Sequence, residues 1–155
     1  MRKDLDDSLT TEFPNLYRDR NDPNNRHGLR YGFACGNGWY PLISKTSAKL
    51  EKLILQLPEN KRKFYKAVQV KQKFGCLRLY MHDRTPEMKD IMAAAEEESL
   101  HTCEACGRQG TLTQVPNRWV SVNCEEHKDV AHWRDMENFD IHWSVKLKNL
   151  LTFRW

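Results

Sequence analysis

The chain has 155 residues, 39% apolar and 30% charged, with a formal net charge of +4; this suits one domain, or one modest core with a small satellite module. No run of about 18 apolar residues occurs, which excludes a membrane-spanning helix. The opening Met1-Arg2-Lys3-Asp4-Leu5-Asp6-Asp7 has no apolar stretch behind its basic pair, so the cytoplasm is the expected compartment.

The charge is unevenly spread. Residues 1–40 balance at six basic and six acidic, residues 41–89 carry twelve basic against four acidic, and residues 90–155 carry seven against eleven. The middle third is therefore the candidate electrostatic surface.

Residues 1–32 are rich in Asp, Asn, Arg and Pro and read as an irregular, partly disordered arm, with Phe13, Leu16 and Tyr17 as its anchors to a core. Gly36-Asn37-Gly38 marks a turn. Pro41 then suits the first turn of a helix, and Ile43, Leu50, Leu53, Ile54 and Leu57 recur at helical spacing, with Lys45, Lys49, Glu51 and Lys52 between them, until Pro58 stops the pattern.

Residues 67–81 read as a β-hairpin around Phe74-Gly75, where glycine supplies the positive φ the turn needs, although Asn-Gly would be the stronger signal. A two-residue loop sets Lys73 opposite Cys76, Lys71 opposite Arg78 and Gln69 opposite Tyr80, all on one face. The other face carries Val68, Val70, Leu77, Leu79 and Met81, with Gln72 its polar member. Thr85-Pro86 suits a helix cap and first position, and Met88, Ile91, Met92 and Ala95 form the stripe that follows. Glu96-Glu97-Glu98, near the end of that helix, reads as a solvated face. Thr111–Val115 and Trp119–Val122 alternate like two short strands joined at Pro116-Asn117. Two helical patterns follow, the first to about residue 136, the second through Phe139, Trp143, Leu147 and Leu150.

The clearest chemistry lies around that second pair of strands. Cys103-x2-Cys106, seventeen residues, then Cys124-x2-His127 offers four ligands of the kind zinc prefers, in two short pairs held by local turns. Gly107 follows the first pair, where a tight knuckle needs freedom from Cβ clashes. All four positions are protein side chains, which points to a structural rather than catalytic zinc. His101 is an alternative ligand just ahead of the first pair.

The expected architecture is α+β: amphipathic helices and a β-hairpin packed with a C-terminal treble-clef-like zinc module. Its parts are the arm at 1–32, a helix/hairpin/helix core at 33–100, the zinc module at 101–137 and a helical tail at 138–155.

Other groups are open to more than one reading. Lys61, Arg62, Lys63, Lys71, Lys73 and Arg78, with Tyr80 to stack a base, suit nucleic-acid phosphates, while lysines on an exposed strand face also serve to prevent edge pairing. Trp143 and Trp155 are candidate anchors of a protein interface. His132, Asn138 and His142 match residue types of HNH nucleases without their spacing. Cys35, with His27 nearby in sequence, is either a nucleophile or a buried structural thiol, and Cys76 is also left over. No catalytic residue is assigned.

Taken together, Cys35-Gly36-Asn37-Gly38-Trp39-Tyr40-Pro41-Leu42-Ile43, Val70-Lys71-Gln72-Lys73-Phe74-Gly75-Cys76-Leu77-Arg78-Leu79-Tyr80, Ala95-Glu96 with Ser99, Cys103-Glu104-Ala105-Cys106-Gly107, Trp119 and Cys124-Glu125-Glu126-His127 resemble a family of small, largely uncharacterised proteins encoded by phages and prophages. The resemblance covers roughly residues 33–128. It implies a phage accessory protein in the bacterial host cytoplasm that acts by binding, and it carries over the four zinc ligands alone. The partner is nucleic acid or, alternatively, a host or anti-phage defence protein that the chain inhibits or adapts; a nuclease is the minor alternative. No membrane and no small-molecule substrate is expected.

Overall fold

The computed structural model describes residues 1–115 and 119–128. Its elements are helices α1 (Lys3–Glu12), α2 (Tyr40–Gln56), α3 (Glu59–Arg62) and α4 (Pro86–Ser99), and strands β1 (Ala67–Lys73), β2 (Cys76–Met81), β3 (Thr111–Val115) and β4 (Trp119–Asn123). Short 3-10 turns lie at Gly28–Tyr31, Asn37–Trp39 and Glu125–His127. The strands make two antiparallel hairpins, β1-β2 and β3-β4. The fold is α+β with a Cys/His cluster toward the C-terminus, as the sequence predicts. Among the described residues, no helix is long and apolar enough to cross a membrane.

The N-terminal segment departs from the expected irregular arm. Lys3–Glu12 is helical, and Leu9, Phe13, Leu16, Tyr17 and Leu29 are buried in the core. A helix with few apolar residues is held here by specific polar bonds. Arg20 donates to both Asp6 carboxylate oxygens at 2.9 Å, and Glu51 accepts from the Asn15 and Leu16 backbone N–H groups at 3.1 and 2.8 Å. Glu51, which helical spacing puts among the polar residues of α2, is thus buried and satisfied. Phe13, Leu16 and Tyr17 do anchor the segment: Tyr17 meets Phe33 edge-on at 5.0 Å between ring centroids.

Helix α2 begins with Pro41 in its first turn and turns Ile43, Leu50 and Ile54 fully inward, each burial worth about 1.5–3 kcal/mol. The Thr85 hydroxyl caps α4 by accepting the Met88 N–H at 3.2 Å. Met88 and Ala95 face the core, with Ile91 and Met92 packed at its margin.

In the first hairpin the pairs Lys73↔Cys76, Lys71↔Arg78 and Gln69↔Tyr80 form in the expected register. An irregularity between Ala67 and Gln69 puts Ala67 rather than Val68 into the buried layer, because a bulge breaks the two-residue alternation. Neither outer edge is bare near the turn. Ala34 bridges β1 through Ala34 N–H to Val70 O (3.0 Å) and Gln72 N–H to Ala34 O (2.9 Å). On the β2 side, Leu77 N–H donates to the Ser99 hydroxyl of α4 at 2.9 Å.

Candidate metal centre and adjoining basic face

Cys103 and Cys106 sit on a tight knuckle ahead of β3, closed by Gly107 N–H donating to Cys103 O at 2.8 Å. Gly107 takes φ +80°, a conformation that glycine adopts without Cβ strain. Cys124 directly follows β4 and His127 lies one helical turn on, where its N–H donates to Cys124 O at 2.9 Å. Knuckle, hairpin and a second pair at the start of a helical turn make up the treble-clef-like order.

The four ligand atoms lie within 4.8 Å of one another. Cys106 Sγ and Cys124 Sγ are 3.8 Å apart, Cys103 Sγ and His127 Nδ1 3.8 Å, and Cys124 Sγ and His127 Nδ1 3.1 Å. A tetrahedral ion with metal–sulfur bonds of about 2.3 Å sets its sulfurs about 3.8 Å apart, whereas a disulfide needs about 2.05 Å. The cysteines are free thiols. The donor set and its spacing fit a metal ion. His101 is exposed and stands outside the cluster, 3.8 Å from Glu97.

Arg108 lies against this cluster. Its Nε donates to Cys106 Sγ at 3.4 Å, and its guanidinium pairs with Glu126. Burial opposes charge on Cys106, but the hydrogen bonds from Arg108 win and pull this thiol down to about 6. Burial pushes the Cys103 thiol up.

The knuckle is interlocked with the Gly36-Asn37-Gly38-Trp39 turn. Glu104, 2% exposed, accepts the Gly36 N–H on Oε1 at 2.8 Å and the Ser121 hydroxyl on Oε2 at 3.2 Å. Its carbonyl takes the Gly38 N–H at 2.8 Å. Trp39, fully buried, donates its indole N–H to Thr102 O at 2.8 Å. A Cβ on Gly38 would lie 2.4–2.5 Å from Gly107 N, Cys103 O and Cys106 N; this contact, more than turn geometry, requires glycine. Burial pushes the Glu104 carboxyl up to about 7.

The basic face lies on the first hairpin. Lys71 and Arg78 pair across the strands, Lys73 is exposed, Lys71 Nζ sits 5.5 Å from the Tyr80 ring centroid and Lys73 Nζ 5.6 Å from that of Phe74. Burial, and then the like charge of Lys73, hold the Lys71 ammonium below its usual range. Arg78 is engaged by Glu96 at 2.5 Å, and Glu98 reaches Lys45 at 2.8 Å, so two members of the Glu96-Glu97-Glu98 run are cross-links rather than a merely solvated face. Arg62 donates to the Leu57 and Leu55 carbonyls at 2.9 and 2.7 Å, closing the end of α2. Lys61 and Lys63 are exposed on and just after α3.

Cys35 is 1% exposed, and burial pushes its thiol up to about 12, while His27 is exposed; this is a structural thiol. Cys76 is also buried, 3.6 Å from Glu96 O. The HNH-like His132, Asn138 and His142 and the interface candidates Trp143 and Trp155 lie outside the described residues.

Residue spacing does not reveal Glu104, Arg108 or Glu96 as parts of these sites, since each has a partner 18 or more residues away: Gly36, Glu126 and Arg78 respectively. Phe74 did leave a trace: a bulky aromatic where this turn favours Asn. No family model, curated protein or solved structure matches the chain.

Proposed function

We propose that this chain is a zinc-stabilised nucleic-acid-binding protein of the accessory kind that phages encode, acting in the bacterial cytoplasm. Three thiols and one imidazole whose ligand atoms lie within 4.8 Å of one another suit zinc in a closed, structural site. The metal module supports the turn before α2 and touches the first hairpin, where Gln72 Nε2 donates to Val120 O at 2.5 Å. The observation that carries the binding function is the gathering of Lys71 and Lys73 with Tyr80 on one hairpin face, with Lys73 and Tyr80 exposed and Lys71 half-buried. Phosphate contacts by such lysines release counterions, so binding weakens steeply with salt.

The test is fluorescence anisotropy of labelled DNA and RNA with the double variant Lys71→Glu/Lys73→Glu. Binding should collapse in the variant and fall with salt in the wild type; unchanged binding would overturn the proposal.

A second reading, an inhibitor or adaptor of a host or defence protein, is favoured by Leu112, 54% exposed beside the hairpin turn. An apolar side chain there suits a protein interface. Capture of a specific partner that Leu112→Ser abolishes would support it.

A further inference from the structure

The tip of the first hairpin breaks a local rule. Phe74 has φ +55° and Gly75 φ +76°, the two positive values of a two-residue turn whose first central position favours Asn, Asp or Gly. A bulky side chain rarely adopts this conformation. Among the described residues Phe74 is the one non-glycine that does. Core packing does not account for the choice, because Phe74 is 76% exposed. An aromatic held in a costly conformation and turned to solvent marks a residue kept for contact.

Its neighbours define the contact. Phe74 and Tyr80, the latter 37% exposed, lie on the hairpin that bears Lys71 and Lys73. Each aromatic has one lysine over its ring, at 5.6 and 5.5 Å. Lys71 and Lys73 are two residues apart on one strand face, about 7 Å, so they can serve successive phosphates of an extended strand. Their flexible stems let each ammonium leave the ring for a phosphate while the ring takes a base. In a duplex the base faces are already stacked on one another and closed to both rings; in a single strand they are open.

We propose that the ligand of this face is single-stranded nucleic acid, with bases stacked on Phe74 and Tyr80 and phosphates held by Lys71 and Lys73. This rests on the nucleic-acid reading above and narrows it. Any base has a face to stack, so the expected selectivity is for strandedness rather than sequence.

The experiment uses the zinc-loaded full chain, fluorescein-labelled oligo-dT and oligo-U, and a mixed-sequence duplex, read by anisotropy at fixed salt. The single strands should bind more tightly than the duplex. Phe74→Asn and Tyr80→Ser should each weaken oligo-dT about 5- to 100-fold. Phe74→Asn should melt no lower than wild type, since Asn suits the turn better, so its loss of binding cannot be ascribed to unfolding. Leu112→Ser should leave oligo-dT binding intact, because an aliphatic side chain offers no ring to stack. Equal binding of duplex and single strand, or full oligo-dT affinity in Phe74→Asn, overturns this inference while leaving the broader nucleic-acid function standing. No binding of any of the three probes overturns both.

Discussion

The Glu104 carboxylate accepts the Gly36 backbone N–H at 2.8 Å across 68 residues of sequence, which fastens the metal knuckle to the turn that starts α2. Glu104 stands between Cys103 and Cys106, so the loop that bears two of the four clustered Cys/His side chains also supplies the clasp. Glu104→Ala would leave the Gly36 N–H and the Ser121 hydroxyl without this acceptor and should cost about 1–3 kcal/mol. Glu104→Gln keeps an acceptor for Gly36 and should lose less. Urea unfolding of the two variants measures the difference; equal loss would mean that the side chain acts through its volume alone.

The contact between Gly38 and the knuckle makes a second, steric prediction. A methyl at Gly38 falls within 2.5 Å of three backbone atoms of the Cys103–Gly107 segment, and backbone cannot yield as a side-chain end can. Gly38→Ala should destabilise by about 1–3 kcal/mol and reduce bound metal at a fixed chelator concentration. Both are read from purified protein by urea unfolding and a colorimetric zinc assay.

Metal removal should be felt beyond the module that binds it. Structural zinc supplies folding free energy directly, and the knuckle also receives the Trp39 indole. Chelation should therefore raise amide hydrogen exchange over Cys103–His127 and also over Gly36–Trp39. Exchange confined to the first stretch would show that the two are not coupled.

Arg78 belongs to the basic face by register, but its charge is shared with Glu96. Glu96→Gln should release it. The pair is about one-third exposed, so its loss should change stability by only about 0.2–1 kcal/mol. Affinity for nucleic acid should rise, and the slope of log K against log salt should steepen by roughly 0.7–0.9 as one further phosphate contact forms. A slope equal to wild type would exclude Arg78 from the binding face.

The parts legible in the sequence are those with short-range signatures. The paired Cys-x2-Cys and Cys-x2-His, Pro41, Thr85-Pro86 and the alternation across Phe74-Gly75 each encode geometry within a few residues, and the hairpin register of Lys71 and Arg78 follows from turn length alone. What was not legible depends on partners far away. Lys3–Glu12 has only Leu5 and Leu9 as apolar residues, too few for a periodic stripe, and α1 is held by contacts such as Asp6 with Arg20. The inward turn of Glu51 and Glu104 is set by backbone N–H groups 35 to 68 residues distant. The bulge at Val68, likewise, leaves no mark in a pattern of alternating residues.

The central claim is that Cys103, Cys106, Cys124 and His127 together hold one zinc ion, and zinc-edge X-ray absorption of purified protein tests it most directly. The account predicts one zinc per chain, with three sulfur scatterers at about 2.3 Å and one nitrogen at about 2.0–2.1 Å, and loss of that signal together with folding of the Cys103–His127 segment in Cys106→Ser. A purified chain free of zinc yet fully folded, or a zinc shell of oxygen and nitrogen alone, would contradict it.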